Sequence, residues 1–225
     1  MQIGILQTGH FLNALAGGND DYDVLFHQML AGHGFEFRTF NVVDMEFPGS
    51  AHDADGWLIT GSPHGAYEDL TFIPPLEDLI RAIFAAGRPL VGICFGHQIV
   101  AQALGGRVEK FDGGWVAGHQ VYDFSGAEIA MNAWHQDQVV AVPEGAQVLA
   151  RSATCATAAL LYGGQALTIQ AHPEFDRNAM AALIDMRGPA LPPAQAEAAL
   201  SALSAPNDND IIADRIAAFF KVDHG

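Results

Sequence analysis

The sequence predicts an α/β fold: a doubly wound, mostly parallel sheet with flanking helices. Strand and helix patterns alternate through the first half of the chain, as in consecutive βαβ units. The predicted strands there span 3–7, 35–42, 56–60 and 90–93, and the predicted helices span about 22–31 and 76–86. Because ligands bind such sheets at the carboxyl ends of the strands, we expect a functional site at that edge.

The middle of the chain, residues 107–170, is richer in strands. Apolar alternation predicts strands at 108–111, 120–124, 128–133 and 147–150. A hairpin follows, with strands at 158–162 and 165–170 joined by a Gly-Gly turn. The second hairpin strand leads directly into a His-Pro-Glu sequence, which places that sequence at a strand end.

Near the C-terminus the composition changes at a proline-rich connector, residues 187–193. We therefore divide the chain into an α/β domain, residues 1–186, and a C-terminal helical extension, residues 187–225. The last helix of the extension carries an apolar stripe formed by Ile212, Ile216, Phe219 and Phe220. We expect the stripe to pack on the same domain, and a docking surface for another protein is the alternative.

The buried strand at 90–93 ends at Cys94, which has Gly92 and Gly96 two residues away on either side. A side chain on a sharp strand-to-helix turn needs neighbours without Cβ atoms, and this Gly-x-Cys-x-Gly spacing provides them. The thiol would lie at a helix N-terminus, where the helix dipole favours thiolate. The spacing thus predicts a nucleophile, and the alternative is a buried structural Cys on a tight turn.

His172 and Glu174 supply the base that such a nucleophile requires. Pro173 biases His172 toward extended backbone, in which side chains two residues apart point the same way. The Glu174 carboxylate would then fix the imidazole tautomer, and the imidazole would deprotonate the thiol. Together with the Cys turn, the sequence predicts a Cys-His-Glu triad. We expect His97 to face away from the thiol, and Cys155 to be inert.

Four blocks in the same order resemble the class I (triad-type) glutamine amidotransferase family, which includes the glutaminase domain of GMP synthetase. The resemblance covers roughly residues 1–185. The four blocks are Leu58–Pro63, Gly92–Gln98, Trp134–Val139 and Gln170–Glu174. It implies a flavodoxin-like architecture.

The resemblance also implies roles for single residues. Cys94 would be the nucleophile, His172 the general base and acid, and Glu174 its orienting carboxylate. The oxyanion hole would use the backbone N–H of Phe95 and a second N–H, from Gly61 or Ser62. The substrate-binding residues would be Gln98, His135, Gln136 and Asp137.

One block departs from the family pattern. The family commonly has Gly-Gly-Pro where this chain has Gly61-Ser62-Pro63. A non-glycine residue with positive φ would be strained, so the geometry of Ser62 decides whether the second oxyanion donor is well placed.

Composition excludes several functions. The 225 residues carry 26 acidic and 10 basic side chains, for a formal charge of −16, which disfavours nucleic-acid binding. No apolar run reaches the ~18 residues that a membrane span requires. Two Cys residues and an N-terminus that enters a strand directly predict a cytoplasmic protein without a signal peptide.

We expect neither a metal nor a cofactor. The ten His residues are scattered, and neither His-Glu-x-x-His nor Cys-x-x-Cys occurs. The segment 17–21 lacks the Lys of a phosphate-binding loop, and its acidic residues suit a helix N-cap instead.

The predicted activity is hydrolysis of the glutamine side-chain amide through a cysteinyl thioester, giving glutamate and ammonia. The chain has no synthase module, so the ammonia would pass to an unidentified acceptor or a separate synthase protein, and we expect slow turnover of free glutamine without that partner. One alternative is a γ-glutamyl amide hydrolase with the same triad. The other is a catalytically idle regulatory module, which an intact triad disfavours.

Overall fold

The computed structural model describes residues 1–11 and 21–222, so the predicted cap lies outside the described residues except for Asp21. Asp21 caps the first described helix, where its side chain accepts a hydrogen bond from the Tyr22 N–H. A seven-stranded sheet forms the centre of the fold. Its strands are β1 (Gln2–Leu6), β2 (Glu36–Phe40), β3 (Gly56–Ile59), β4 (Leu90–Ile93), β9 (Ala146–Ala150), β10 (Ala159–Tyr162) and β11 (Ala166–Ile169).

The strand order in this sheet is β2-β1-β3-β4-β11-β10-β9. The first five strands in this order are parallel, and β10 and β9 are antiparallel to their neighbours. The predicted mostly parallel sheet is therefore confirmed. Two smaller two-stranded sheets lie outside it, formed by β5 (Arg107–Lys110) with β8 (Asp137–Ala141) and by β6 (Val116–Phe124) with β7 (Ala127–His135).

The helices are α1 (Tyr22–Met29), α2 (Ile73–Ala85), α3 (Phe95–Ala103), α4 (Arg177–Arg187), α5 (Pro193–Ser201) and α6 (Asn209–Lys221). Buried residues of α2 and α3 belong to one apolar cluster, which includes Trp57 and Ile59. Phe26 of α1 and buried residues of α6 belong to a second, which includes Ile3 and Ile5. Neighbouring positions on β1 and β3 thus contribute to different clusters, as alternating side chains on a sheet with two covered faces do.

The C-terminal helix α6 joins the second cluster. Ile212, Ile216 and Phe220 are each at most 1% exposed and pack with Ile3 and Phe26. Hydrophobic burial on this scale stabilises each such side chain by about 1.5–3 kcal/mol. The division of the chain at residue 186 stays a prediction.

Several element boundaries differ from the prediction. Helix α2 begins at Ile73, three residues earlier than expected, because prolines occupy its first turn, where their missing N–H groups cost nothing. β6 begins at Val116, four residues earlier than expected. β8 and α4 were not predicted. Among the described residues, none of the helices is of the length and apolar character that crossing a membrane requires.

Candidate active site

Cys94 lies on a strained turn between β4 and α3. Its backbone has φ 54° and ψ −102°, a conformation that few non-glycine residues adopt. A Cβ atom on Gly92 would lie 2.5 Å from the Gly96 carbonyl oxygen, and one on Gly96 would lie 2.4 Å from the Ile59 carbonyl oxygen. Both flanking glycines are therefore required by close backbone packing, as the spacing predicted.

The sheet register brings the Cys and His segments to the same edge. β4 and β11 are parallel neighbours, with Ile93 opposite Ile169, and the Cys94 N–H donates to the Ile169 carbonyl at 2.8 Å. The chain leaves β11 toward His172 just as it leaves β4 toward Cys94. The Cys94 and His172 side chains consequently line the same pocket, and interaction with Cys94 raises the pKa of His172.

His172 also contacts Glu174, and both side chains are buried. Its Nδ1 lies 2.7 Å from the Glu174 Oε1, and the two side chains are 4% and 0% exposed. Burial by itself lowers the pKa of His172, but the charges of Cys94 and Glu174 outweigh burial and raise that pKa to about 10. The imidazole is therefore held as imidazolium at neutral pH.

Two residues that the sequence did not indicate hold the His172 ring in place. The ring stacks on Phe175, with 4.1 Å between centroids and 2° between planes. The backbone N–H of His172 donates to the backbone carbonyl of Asn132 at 2.8 Å. The Asn132 side-chain amide donates to the Phe175 carbonyl at 3.0 Å. Asn132 lies on β7, so only the tertiary fold brings it to this turn.

The Gly61-Ser62 loop lies beside the His172 ring. A Cβ atom on Gly61 would lie 2.9 Å from the His172 Cε1. The hydroxyls of Thr8 and Thr60 lie 3.0 and 2.9 Å from the Gly61 carbonyl oxygen and donate to it. The Ser62 hydroxyl donates to the Thr8 carbonyl at 2.7 Å. Among the described non-glycine residues, positive φ occurs at Met45, Cys94 and Ser125. The backbone of Ser62 is therefore free of the strain that a positive φ would cause.

A pocket of about 350 Å³ opens over these residues. Cys94 and His172 line it, together with Ser62 and the four predicted substrate-binding residues, Gln98, His135, Gln136 and Asp137. The loop between β3 and α2 also contributes to its wall, through His64, Gly65, Tyr67 and Glu68. Phe95, the first residue of α3, has an N–H without an intrahelical acceptor.

Hydrogen bonds within the protein occupy some of the polar groups of the four predicted substrate-binding residues. The Gln98 amide donates to the Asp137 carbonyl at 2.9 Å and lies 3.3 Å from the Gln170 Oε1. The Gln136 carbonyl accepts from the Phe111 N–H. Burial lowers the pKa of His135 to about 3, and His172 acts in the same direction, so His135 is neutral.

Asp137 is the charged member of this group. Its Oδ1 accepts from the Tyr67 hydroxyl at 3.1 Å. Burial raises the pKa of the Asp137 carboxyl, and the Tyr67 hydrogen bond partly offsets that shift. Asp137 therefore presents a half-buried carboxyl group to the pocket.

The structure separates two further candidates from the site. The His97 Nδ1 lies 2.8 Å from the Thr168 hydroxyl, and burial lowers the pKa of His97 to about 3. Cys155 is 1% exposed, and burial raises the pKa of its thiol to about 11. Neither residue lines the pocket. Within the described ranges, no group of three His, Cys, Asp or Glu side chains is placed to hold a metal ion.

A thiol on a strand-to-helix turn, a buried imidazole and a carboxylate together match the arrangement of a nucleophile, its base and an orienting group. The sequence profile of the glutamine amidotransferase class-I family matches residues 21–185. The chain belongs to that family.

The sequence is similar to two differently named groups of proteins. Over 180 residues the chain is 32% identical to gamma-glutamyl peptidase 4 of Arabidopsis thaliana, covering 73% of this chain and 72% of that protein. Over 169 residues it is 30% identical to GMP synthase [glutamine-hydrolyzing] of Thermus thermophilus, covering 68% of this chain and 32% of the synthase. The match to the first extends over most of both proteins, whereas the match to the second is confined to part of the synthase.

Solved structures support the fold. A glutamine amidotransferase from Thermotoga maritima superposes with a TM-score of 0.80 at 19% identity, covering 98% of this chain and 99% of that one. A glutamine amido transferase from Methylobacillus flagellatus superposes with a TM-score of 0.76 at 22% identity, covering 98% and 91%. The flavodoxin-like α/β architecture is thus shared along nearly the whole chain.

Proposed function

We propose that this chain hydrolyses γ-glutamyl amides, with Cys94 as nucleophile, His172 as general base and acid, and Glu174 as the carboxylate that orients His172. The observation that carries the proposal is the buried contact between His172 and Glu174, with Cys94 and His172 lining the same pocket. Each part of a nucleophile-base-carboxylate arrangement is then within reach of the next.

In the first half of the reaction the Cys94 sulfur attacks the γ-carbonyl carbon and forms a C–S bond. The C–N bond then breaks as His172 gives its proton to the departing amine, which leaves a glutamyl thioester. In the second half His172 takes a proton from water, and the hydroxide attacks the thioester. The C–S bond then breaks and glutamate departs, and the proton on His172 restores the starting protonation of the Cys94–His172 pair.

The oxyanion formed in each half requires N–H donors. One donor is the Phe95 N–H, at the start of α3. For the second we assign Ser62 rather than Gly61. In a trans peptide the carbonyl and the N–H point in opposite directions, and the Gly61 carbonyl points at the hydroxyls of Thr8 and Thr60. The N–H of Ser62 in that same peptide therefore points away from the threonines, and Ser62 lines the pocket.

The dimensions of the pocket favour amides larger than glutamine itself. Its volume of about 350 Å³ falls within the range of 300–1,000 Å³ typical of sites for drug-sized ligands. The relatives named gamma-glutamyl peptidase, which match most of this chain, support the same substrate class. Free glutamine is then the smallest member of the substrate series.

A second candidate function is release of ammonia from glutamine for a separate synthase. The observation in its favour is the 30% identity to part of GMP synthase. It predicts that glutamine is the best substrate and that a synthase partner accelerates its hydrolysis.

Glutamate release from glutamine and from a series of γ-glutamyl amides tests the two functions against each other. We expect higher kcat/KM for at least one substituted amide than for glutamine, and no hydrolysis of α-linked glutamyl dipeptides. Cys94→Ala should abolish turnover, and Cys155→Ala, the matched control, should retain it. A preference for glutamine over every substituted amide would favour the second candidate, and activity in Cys94→Ala would contradict both.

A further inference from the structure

The pocket has a polar half and an aromatic half. The polar half contains Asp137, Glu68 and Lys110, which offer charges of both signs to the α-ammonium and α-carboxylate groups of a glutamyl moiety. The aromatic half is lined by Phe11, Tyr22, Phe175, Leu183, Trp134 and Trp115. They offer more apolar surface than the short, polar glutamyl chain can cover.

His172 belongs to the aromatic half. Its ring stacks on Phe175, and Phe175 packs with Phe11 and Tyr22 at centroid distances of 5.5 and 6.4 Å. Leu183 of α4 is part of the same apolar cluster, and Trp134 packs against it. Trp134 in turn contacts Trp115, with 6.0 Å between ring centroids. A continuous apolar wall therefore extends outward from the imidazole.

The position of His172 determines which half receives the amine. The amine nitrogen takes its proton from His172 as the C–N bond breaks, so the amine departs on the imidazole side of the scissile bond. The substituent on that nitrogen therefore faces the aromatic half.

Arg187 adds a positive charge to this half. It lies at the end of α4, is exposed and lines the pocket. In the described part of the chain, the arginines in ion pairs with carboxylates are Arg81 and Arg107, so the Arg187 guanidinium has no such partner. Arg187 lies one helical turn after Leu183, and both side chains line the pocket, so the guanidinium adjoins the aromatic half.

An unpaired guanidinium in a chain of formal charge −16 is suited to bind a carboxylate of the substrate. We infer that the aromatic half is a subsite for the departing amine, and that it selects α-amino acids with a bulky apolar or aromatic side chain and a free carboxylate. The apolar wall takes the side chain, and Arg187 binds the carboxylate. This inference rests on the proposed function and names its substrate class.

Four γ-glutamyl amides separate the two contributions. γ-Glu-Phe has both the ring and the carboxylate, γ-Glu-Ala has only the carboxylate, the phenethylamide has only the ring, and the ethylamide has neither. We expect γ-Glu-Phe to have the highest kcat/KM. Removing the ring should cost about 10-fold or more, as apolar pockets discriminate. Removing the carboxylate should cost about 10- to 100-fold, as loss of a charge-assisted hydrogen bond does.

Arg187→Gln should abolish the advantage of the carboxylate and leave the ratio of phenethylamide to ethylamide unchanged. Arg177→Gln is the matched control, because Arg177 begins the same helix and is exposed but does not line the pocket. Hydrolysis of all four amides by the wild type at equal kcat/KM would overturn this inference alone, as would an equal loss on all four in Arg187→Gln. Absence of hydrolysis of all four would overturn the proposed function as well.

Discussion

Gly61 and His172 approach each other so closely that a Cβ atom on Gly61 would lie 2.9 Å from the His172 Cε1. The His172 ring has no room to yield, because it stacks on Phe175 and bonds to Glu174. The absence of a side chain at residue 61 is therefore part of what positions the imidazole.

Gly61→Ala should lower kcat by about 100-fold, since a displacement of about 1 Å in a catalytic group costs that much. The control is Gly49→Ala, whose Cβ would lie 3.3 Å from the Asp53 Oδ2 on an exposed loop. Steady-state kinetics on a γ-glutamyl amide, with circular dichroism to verify folding, measures the effect. Full activity in a folded Gly61→Ala variant would show that His172 does not need this contact.

Cys94, His172 and Glu174 should behave as one catalytic unit. Cys94→Ala and His172→Ala should each reduce kcat by about 10⁴-fold or more, and the double variant should be hardly worse, because residues that act together are non-additive. Glu174→Gln should be milder, since the imidazole keeps a neighbour but loses its charge partner. Losses that multiply in the double variant would indicate that His172 does not act on Cys94.

The raised pKa of His172, about 10, predicts an unusual pH dependence for alkylation of Cys94. A group with a raised pKa stays protonated below that value, so the imidazolium faces the thiol throughout neutral pH and is lost only as the pH rises through about 10. Because a nearby positive charge favours the reactive thiolate, the rate with iodoacetamide should be higher in the wild type than without His172 throughout neutral pH, and this advantage should be lost as the pH rises through about 10.

His172→Gln removes that charge, so at neutral pH alkylation of this variant should be slower than that of the wild type. Measurement in Cys155→Ala proteins assigns the reaction to one thiol. Parallel pH profiles with and without His172 would mean that the two side chains are not coupled.

The sequence predicted the residues whose geometry is set by their own neighbours along the chain. Gly92 and Gly96 indicate the turn at Cys94, and Pro173 indicates the extended backbone that lets Glu174 reach His172. Phe175 and Asn132 were not predicted, because their roles depend on contacts between elements distant in sequence.

Helix α4, which brings Leu183 and Arg187 to the pocket, did leave a local signal. Asp176 caps this helix by accepting from the Ala179 N–H at 2.8 Å, and the buried residues Met180, Leu183 and Ile184 have helical spacing. An N-cap followed by such spacing predicts a helix. By contrast, the division of the pocket into two halves depends on packing among five or more elements and has no signal along the chain.

The two hydrogen bonds from the Thr8 and Thr60 hydroxyls to the Gly61 carbonyl give a test of the oxyanion assignment. Thr8→Val removes one of the two hydroxyls that donate to this carbonyl, so the Gly61-Ser62 peptide can rotate. We expect kcat to fall by about 10- to 100-fold, less than complete loss of an oxyanion donor. The alkylation rate of Cys94 should stay the same, because the contact with His172 is intact.

Thr157→Val is the matched control, because its buried hydroxyl donates to the Val139 carbonyl at 2.8 Å and does not line the pocket. Both variants should lose about 1 kcal/mol of unfolding free energy, measured by urea denaturation. If the two variants lose the same activity, the hydrogen bonds to the Gly61 carbonyl have only a structural role.

The assignment of Cys94 as a nucleophile activated by His172 is tested most directly with the two cysteines of this chain, which differ in environment alone. The wild-type protein is treated with an electrophilic glutamine analogue, and the adduct is located by peptide mass mapping. A single adduct is expected on Cys94; prior incubation with a γ-glutamyl amide should abolish it, and its formation should be greatly slowed in His172→Ala. An adduct on Cys155, or labelling of Cys94 at the same rate with and without His172, would contradict it.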